Sequence, residues 1–216
     1  GIKVEKDEEE RANSLDDYLV MAADSMGSIT QCDRKLDDRQ KLFVVGDKKD
    51  FLLMGAGTFE GAIRVVSEIE DMHFNTLQDI AKKILEVSDK LDIVDERDCL
   101  DFIVGGRYAV DGKKKLGLGF AEINTTGFNP GAKRQRWSDR GFKIQPRFAM
   151  DGSGAEYVLS YMEGLSETGK EYNIDLATAF VLAYEFSKKG AKDSSVNDKL
   201  QFGLMTKDGV STLYHP

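Results

Sequence analysis

Histidine and cysteine are scarce in this chain of 216 residues, which contains two of each. With only His73 and His215, a histidine-based catalytic triad or a histidine-rich zinc site is nearly excluded. Cys32 and Cys99 lie too far apart in the sequence to suggest a disulfide framework or the usual spacing of metal ligands. We therefore expect no bound metal and no cofactor, and a reducing compartment, the cytoplasm.

Long apolar runs are also missing. No window approaches the roughly 18 apolar residues of a membrane span, and no basic segment precedes an apolar one as in a signal peptide. The net charge of -8 argues against nucleic acid or an anionic membrane as the main partner, because polyanions would be repelled. The length and the 41% hydrophobic content predict one domain over residues 1–216 with a continuous core.

Short apolar runs are present, and their spacing predicts the order of the elements. Strands are predicted over Ile2–Val4, Tyr18–Ala23, Lys41–Val45, Phe51–Met54, Leu100–Val104, Arg107–Val110, Leu116–Ile123, Phe142–Met150, Leu200–Thr206 and Val210–Tyr214. Apolar residues recur at intervals of three and four in four other segments, which predicts helices. These helices run from Phe59 to Met72, from Thr76 with Asn75 as its N-cap, from Gly152, and from Leu176 to Lys189.

The resulting order is strands, two helices, strands, two helices, strands. Helices come in pairs and do not alternate singly with strands, which excludes a doubly wound fold. The order predicts an α+β fold, a four-layer α-β-β-α sandwich in which two sheets pack face to face. A helix pair would then cover each outer side.

Two charged residues stand at the ends of predicted strands. Asp24 follows the apolar run Tyr18–Ala23, and Lys41 opens the strand Lys41–Val45. An acid and a base at neighbouring strand ends form a catalytic scaffold that still needs a nucleophile. Taken singly, Asp24 is more often a turn residue, and Lys41 is more often a solvated residue at a strand edge.

Seven short motifs extend this pattern along the chain. They are Gly1-Ile-Lys, Met21-Ala-Ala-Asp-Ser25, Lys41-Leu-Phe, Met54-Gly55, Gly152-Ser-Gly154, Lys192-Asp-Ser194 and Met205-Thr-Lys-Asp-Gly-Val210. In this order and at these spacings the chain resembles β-type subunits of the proteasome, which are N-terminal nucleophile hydrolases. The resemblance covers almost the whole length and implies the four-layer sandwich of that superfamily.

The resemblance also implies a reaction. In that family the nucleophile is the hydroxyl of an N-terminal threonine, and its own α-amino group, with an unperturbed pKa of about 8, takes the proton without any histidine. Lys41 would lower the pKa of that hydroxyl, and Asp24 would keep Lys41 charged and oriented. The backbone N–H of Gly55 would stabilise the oxyanion.

Further site residues follow from the same resemblance. Ser153, Asp193 and Ser194 would anchor the amino terminus and relay its proton. The backbone of Ser28 would pair with an extended peptide by β-augmentation. Gly27, Leu53 and Gly57 would line a roomy apolar specificity pocket.

Proteasome subunits act in rings, so the resemblance implies a homo-oligomer. Its partners would be a peptide or unfolded protein substrate, other β-like or α-type ring subunits, and an ATPase regulator. The family's first strand begins Thr-Thr-x-x-Gly, whereas this sequence begins at that glycine. Three functions therefore stay open: a threonine-type peptidase whose nucleophile precedes Gly1, a catalytically inactive structural ring subunit, or a hydrolase or transferase of the same fold without a ring.

Overall fold

The computed structural model describes residues 2–4, 18–29, 34–36, 39–57, 59–90, 100–110, 112–122, 141–145, 154–166, 176–192, 196–206 and 208–215. Its strands are β1 (Ile2–Val4), β2 (Tyr18–Asp24), β3 (Gly27–Ile29), β4 (Arg34–Leu36), β5 (Leu42–Val45), β6 (Phe51–Gly57), β7 (Leu100–Val110), β8 (Lys113–Glu122), β9 (Gly141–Gln145), β10 (Leu200–Thr206) and β11 (Gly209–His215). Its helices are α1 (Phe59–Ile69), α2 (Leu77–Lys90), α3 (Ala155–Ser166) and α4 (Leu176–Gly190).

The strands form two antiparallel sheets and a separate ribbon. One sheet has the order β1-β2-β10-β11, the other has the order β5-β6-β7-β8-β9, and β3 pairs with β4 as a two-stranded ribbon. In the first sheet, β10 from the C-terminal part of the chain lies beside β2, with Leu200 opposite Asp24. Residues 200–206 therefore lie directly beside the strand that ends at Asp24.

The two sheets touch through a buried apolar cluster to which both contribute. Leu19 and Met21 from β2 meet Leu52 from β6 within this cluster. Glycines on the facing strands make room for these side chains: a Cβ atom at Gly105 would lie 2.8 Å from Met21 Sδ, and one at Gly203 would lie 2.8 Å from Leu52 Cδ2. Each sheet thus inserts large side chains against bare backbone of the other, which fixes the distance between them.

Helices α1 and α2 cover the other face of the five-stranded sheet. Their apolar residues share a buried cluster with Phe51, Phe102 and Val104 of that sheet, as their three- and four-residue spacing predicted. Helix α2 begins one residue later than predicted, because Thr76 caps it in place of Asn75. The Thr76 Oγ1 accepts from the N–H of Asp79, and the Asp79 carboxylate accepts from the N–H of Thr76, which is a reciprocal capping arrangement.

The helices beside the four-stranded sheet are arranged differently. Ala183 of α4 is buried against Tyr18 and Phe202 of β2 and β10. Helix α3 packs chiefly on α4, where the rings of Tyr161 and Phe186 meet edge to face at 5.7 Å. One helix therefore lies on this sheet, and the other lies on that helix.

These findings correct the predicted fold class. The described residues form a mixed α/β structure with two antiparallel sheets, and the prediction of a regular four-layer α-β-β-α sandwich of the N-terminal nucleophile hydrolase type is wrong. The described helices do not cover the two sheets as equivalent pairs, and the β3-β4 ribbon belongs to neither sheet. Apolar periodicity shows that a helix has a face to bury, but it does not show which element will cover that face.

None of the four helices in the described ranges is long and apolar enough to cross a membrane.

The contact between the sheets predicts a strong contrast between two leucines. We expect Leu52→Ala to lower the free energy of unfolding by about 2–5 kcal/mol, because Leu52 is fully buried between the sheets. The matched control is Leu213→Ala on β11, where the leucine is 62% exposed and the change should stay within about 0.5 kcal/mol. Urea unfolding measures both, and equal losses would contradict the described core between the sheets.

Candidate functional site

Asp24 and Lys41 meet where strands of the two different sheets end. The Nζ atom of Lys41 lies 2.9 Å from Oδ1 and 2.9 Å from Oδ2 of Asp24. The two side chains are 23% exposed for Lys41 and 16% exposed for Asp24, so solvent and a small reactant can still reach them. The pair that the sequence singled out is therefore a bidentate ion pair at an accessible position.

The local chain geometry fixes the carboxylate of Asp24 from a second direction. Burial falls from complete at Leu19 and Met21 to partial at Asp24, where β2 leaves the core. The Oδ1 atom then accepts a hydrogen bond of 2.8 Å from the N–H of Met26, a local turn that aspartate side chains favour. Asp24 is thus a turn residue, as an aspartate at a strand end most often is, and it also orients the lysine.

Ion pairs at the protein surface contribute about 1 kcal/mol or less to stability, but Lys41 and Asp24 are only 23% and 16% exposed and are not such a surface pair. Lys49 and Asp71, by contrast, form an ion pair of 2.7 Å that is 50% and 80% exposed. What distinguishes Lys41 and Asp24 from that pair is their partial burial and the number of groups that hold their backbone. The arrangement therefore suits a function that depends on where the Lys41 amine is held.

A buried glutamine holds the backbone beneath Lys41. Gln201 lies on β10, is only 6% exposed, and pairs opposite Ala23 in the sheet that carries Asp24. Its Oε1 atom accepts from the N–H groups of Lys41 and Leu42 at 2.9 and 3.0 Å. Its Nε2 atom donates to the carbonyl of Arg39 at 2.5 Å, so three hydrogen bonds join β10 to the segment that leads into β5.

An asparagine holds the segment after Asp24 in a similar way. The Oδ1 atom of Asn197 accepts from the backbone N–H of Ser25 at 3.1 Å, and the Nδ2 atom donates to the Ser25 hydroxyl at 3.3 Å. The carbonyl of Ser25 in turn accepts from the N–H of Arg39 at 2.7 Å. Asn197 therefore holds the segment that follows Asp24, and Ser25 in turn holds the segment that carries Lys41.

The Gly55 backbone also reaches this site. Its N–H donates to the carbonyl of Lys41 at 3.2 Å, so an oxyanion would have to compete with that carbonyl for the same donor. A Cβ atom at this position would lie 3.1 Å from Ala62 Cβ and 3.3 Å from Phe102 Cε1, which gives Gly55 a packing reason to be glycine. Its predicted role in stabilising the oxyanion stays a prediction.

The predicted peptide-binding residues lie in three different settings. Gly27 and Ser28 belong to β3, where they pair with Leu36 and Lys35 of β4. Leu53 is fully buried among the side chains beneath α1 and α2 and so does not line an open pocket.

The fourth predicted peptide-binding residue is Gly57, which ends β6 two residues after Gly55. It has a positive φ of 101°, a conformation that favours glycine. The structure therefore brings Asp24, Lys41 and Gly55 together and leaves Leu53 outside that group.

Three predicted residues fall outside the described residues: Ser153, Asp193 and Ser194. Among the described residues, the backbone directly before α3 lies close to the end of α4: a Cβ atom at Gly154 would lie 2.9 Å from the Cα of Gly190. As for metal binding, the described parts of the chain contain no cluster of three or more histidine, cysteine, aspartate or glutamate side chains.

Sequence reasoning missed Gln201, Asn197 and Arg39. A signal for Gln201 was present, because it is the one amide in the apolar strand Leu200–Thr206, and a polar side chain in a buried strand needs a hydrogen-bond partner. The guanidinium of Arg39 lies 5.1 Å from the centroid of the Phe59 ring, and its Nε atom is buried without a hydrogen-bond partner among the described residues. The segment that carries Lys41 therefore carries a second cation.

An open cavity of about 510 Å³ lies beside Gln201, and neither Asp24 nor Lys41 lines it. It opens between the edge strands β5 and β11. Its lining residues are Gln40, Leu42, Val44, Lys49, Gln201, Phe202, Thr212 and Leu213. The cavity is therefore a separate feature from the ion pair and does not identify a substrate pocket there.

Comparison with known proteins does not extend the resemblance seen in the sequence. No model of a known protein family matches the chain, and no curated protein matches it at a significant level. The candidate site thus stands on the geometry of Asp24, Lys41, Gly55 and Gln201.

Proposed function

We propose that this protein is a threonine-type peptidase that cleaves peptide bonds by acyl transfer within a ring-shaped, proteasome-like assembly. The observation that carries the proposal is the bidentate contact between Lys41 and Asp24 at adjacent ends of two sheets. A lysine held at a fixed position by a carboxylate can lower the pKa of a nearby hydroxyl and so activate it as a nucleophile.

The register of β1 indicates where a residue that precedes Gly1 would lie. Ile2 pairs opposite Val20 and Val4 pairs opposite Tyr18, so each step back along β1 advances one residue along β2. If the strand continued in this register, a residue three positions before Gly1 would lie opposite Asp24. A threonine near that position would be beside the ion pair.

The proposed reaction needs no cofactor. The threonine hydroxyl attacks the carbonyl carbon of the scissile peptide bond, while its α-amino group takes the hydroxyl proton. The tetrahedral intermediate loses the amine product, which leaves with that proton, and an ester to the enzyme remains. Water then hydrolyses the ester and regenerates the hydroxyl. Lys41 favours the ionised hydroxyl throughout, and Asp24 holds Lys41 in place.

A second candidate is a catalytically inactive structural subunit of such a ring. It is favoured by the hydrogen bond from the Gly55 N–H to the Lys41 carbonyl, because that donor is then already used. The two candidates differ in the residue at the mature amino terminus. Intact mass spectrometry of the mature protein separates them, since a terminus without threonine, serine or cysteine would rule out the peptidase.

The cytoplasm is the proposed location, because two widely separated cysteines suit a reducing compartment. The proposed partners are a peptide or unfolded protein substrate, further β-like or α-type ring subunits and an ATPase regulator. Val181 and Tyr184 support assembly, since they are three residues apart on α4 and are 60% and 37% exposed, so that they share one helix face.

Removal of the lysine amine tests the proposed activity. We expect Lys41→Ala to lower the turnover of a fluorogenic peptide by about 10²-fold or more. No other cation among the described residues contacts Asp24, so none could replace the lysine amine. Urea unfolding checks that the variant is folded, because removal of the amine leaves the largely buried Asp24 carboxylate without its counter-ion. Lys82→Ala on α2 is the control, with a side chain that is 80% exposed. Undiminished turnover in folded Lys41→Ala protein would refute the assignment.

The carboxylate can be neutralised without changing its shape. Asp24→Asn keeps an acceptor for the Met26 N–H but loses the charge that orients Lys41, so we expect turnover to fall about tenfold or more with the turn intact. The control is Asp71→Asn, which breaks the exposed ion pair with Lys49. Equal turnover in both variants would mean that Asp24 acts only as a turn residue.

The proposed ring makes a prediction about mass. We expect light scattering after size-exclusion chromatography to give a multiple of the 24.1 kDa chain, and Val181→Lys to reduce the assembled fraction by placing a charge on the exposed face of α4. Leu213→Lys, on strand β11 and 62% exposed against 60% for Val181, is the comparison substitution and should leave the assembled fraction unchanged. A monomeric wild-type protein with peptidase activity would exclude the chambered assembly but leave the chemistry in place.

A further inference from the structure

Gln201 is an unusual residue for its surroundings. It occupies a central strand of the four-stranded sheet and is 6% exposed, between fully buried Leu200 and buried Phe202. A primary amide loses its hydrogen bonds to water when it is buried, and it is tolerated there only where protein groups replace them. The three hydrogen bonds of Gln201 all go to the segment that carries Lys41.

The partners of Gln201 determine which way its amide points. Lys41 and Leu42 present N–H donors, and Arg39 presents a carbonyl acceptor. With the opposite orientation the amide NH₂ would face two donors, so the oxygen must be the atom that lies toward Lys41. This arrangement holds Lys41 from its backbone while Asp24 holds it from its side chain.

The position of Gln201 in the sheet links these two contacts. β10 pairs with β2 so that Leu200 lies opposite Asp24 and Gln201 lies opposite Ala23. The backbone of β10 at Gln201 therefore pairs with the strand that ends at Asp24. The side chain of Gln201 is hydrogen-bonded to the segment that carries Lys41. A shift of either strand would be resisted by the same residue.

We infer that Gln201 is a positioning residue: it sets the place from which Lys41 reaches Asp24, and through that pair it sets the activity of the site. The catalytic part of this inference rests on the proposed function, whereas the effect on Lys41 does not. A simpler role for Gln201 would be to satisfy the hydrogen-bonding groups at the exposed edge of β5. Gln40 does cap that edge, because its Nε2 atom donates to the Leu42 carbonyl at 3.1 Å, and among the described residues its side chain forms no hydrogen bond with the Lys41 backbone.

The two glutamines therefore provide a matched test. Gln201→Met keeps the length of the side chain but removes all three hydrogen bonds, and Gln40→Met removes only the edge cap. The probe is reductive methylation of lysine amines in the full-length protein, followed by peptide mass spectrometry, with exposed Lys82 as the internal reference. We expect Gln201→Met to raise the methylation rate of Lys41 relative to Lys82 by several-fold, up to about tenfold, and Gln40→Met to leave that ratio unchanged.

Peptide hydrolysis provides the second readout. We expect Gln201→Met to lower kcat with KM nearly unchanged, because the substrate contacts are intact and the lysine is displaced. Because partial unfolding would also lower kcat without changing KM, kcat is referred to the folded fraction measured by circular dichroism, and Gln40→Met should change neither constant.

The outcomes separate the inference from the proposed function. An unchanged Lys41 methylation ratio in folded Gln201→Met protein would overturn the inference, whatever the activity. A raised ratio in a protein that hydrolyses no peptide would support the positioning of Lys41 and count against the peptidase. If Gln201→Met does not fold, hydrogen exchange in the wild-type protein decides: the amides of Lys41 and Leu42 should be protected, and exchange at the rate of an exposed loop would overturn the inference.

Discussion

Close packing between two antiparallel sheets is the constraint on which the rest of this structure depends. Met21 and Leu52 lie against Gly105 and Gly203 of the opposite sheet, and the fully buried side chains of this cluster supply far more free energy than any ion pair at the surface. Asp24 belongs to one sheet, and Lys41 directly precedes a strand of the other. The ion pair can therefore form only because the packing holds the two sheets at the right separation.

The polar groups around the site refine what the packing sets. Apolar contacts are not directional, so they determine how far apart the sheets lie better than they determine how one strand is shifted along another. Hydrogen bonds are directional, and the three made by Gln201 fix the segment from Arg39 to Leu42 against β10. Packing thus sets the distance between the two sheets at the site, and hydrogen bonding sets the position of one strand along the other.

Several parts of this arrangement could be predicted from the sequence. The apolar run before Asp24 and the lysine before Leu42 were enough to indicate two strand ends and two charges. The partner of each helix could not be predicted in this way, because the periodicity of α3 and α4 does not reveal that α3 packs chiefly on α4. The cross-sheet role of Gln201 depends on a neighbour 160 residues away along the chain, which no local pattern contains.

Gly105 and Gly106 look like a break between two strands in the sequence, yet β7 runs through both of them without interruption. Successive residues of a strand point to opposite faces, and both faces are filled here: Leu19 and Met21 lie against Gly105, while Phe51 and Leu77 lie against Gly106. At this point a single backbone, with no side chains of its own, separates the core between the sheets from the core beneath the helices. The two cores are therefore mechanically continuous through β7, so that a displacement of Leu77 on helix α2 toward β7 would be transmitted through its backbone to Leu19 and Met21 of the strand that carries Asp24.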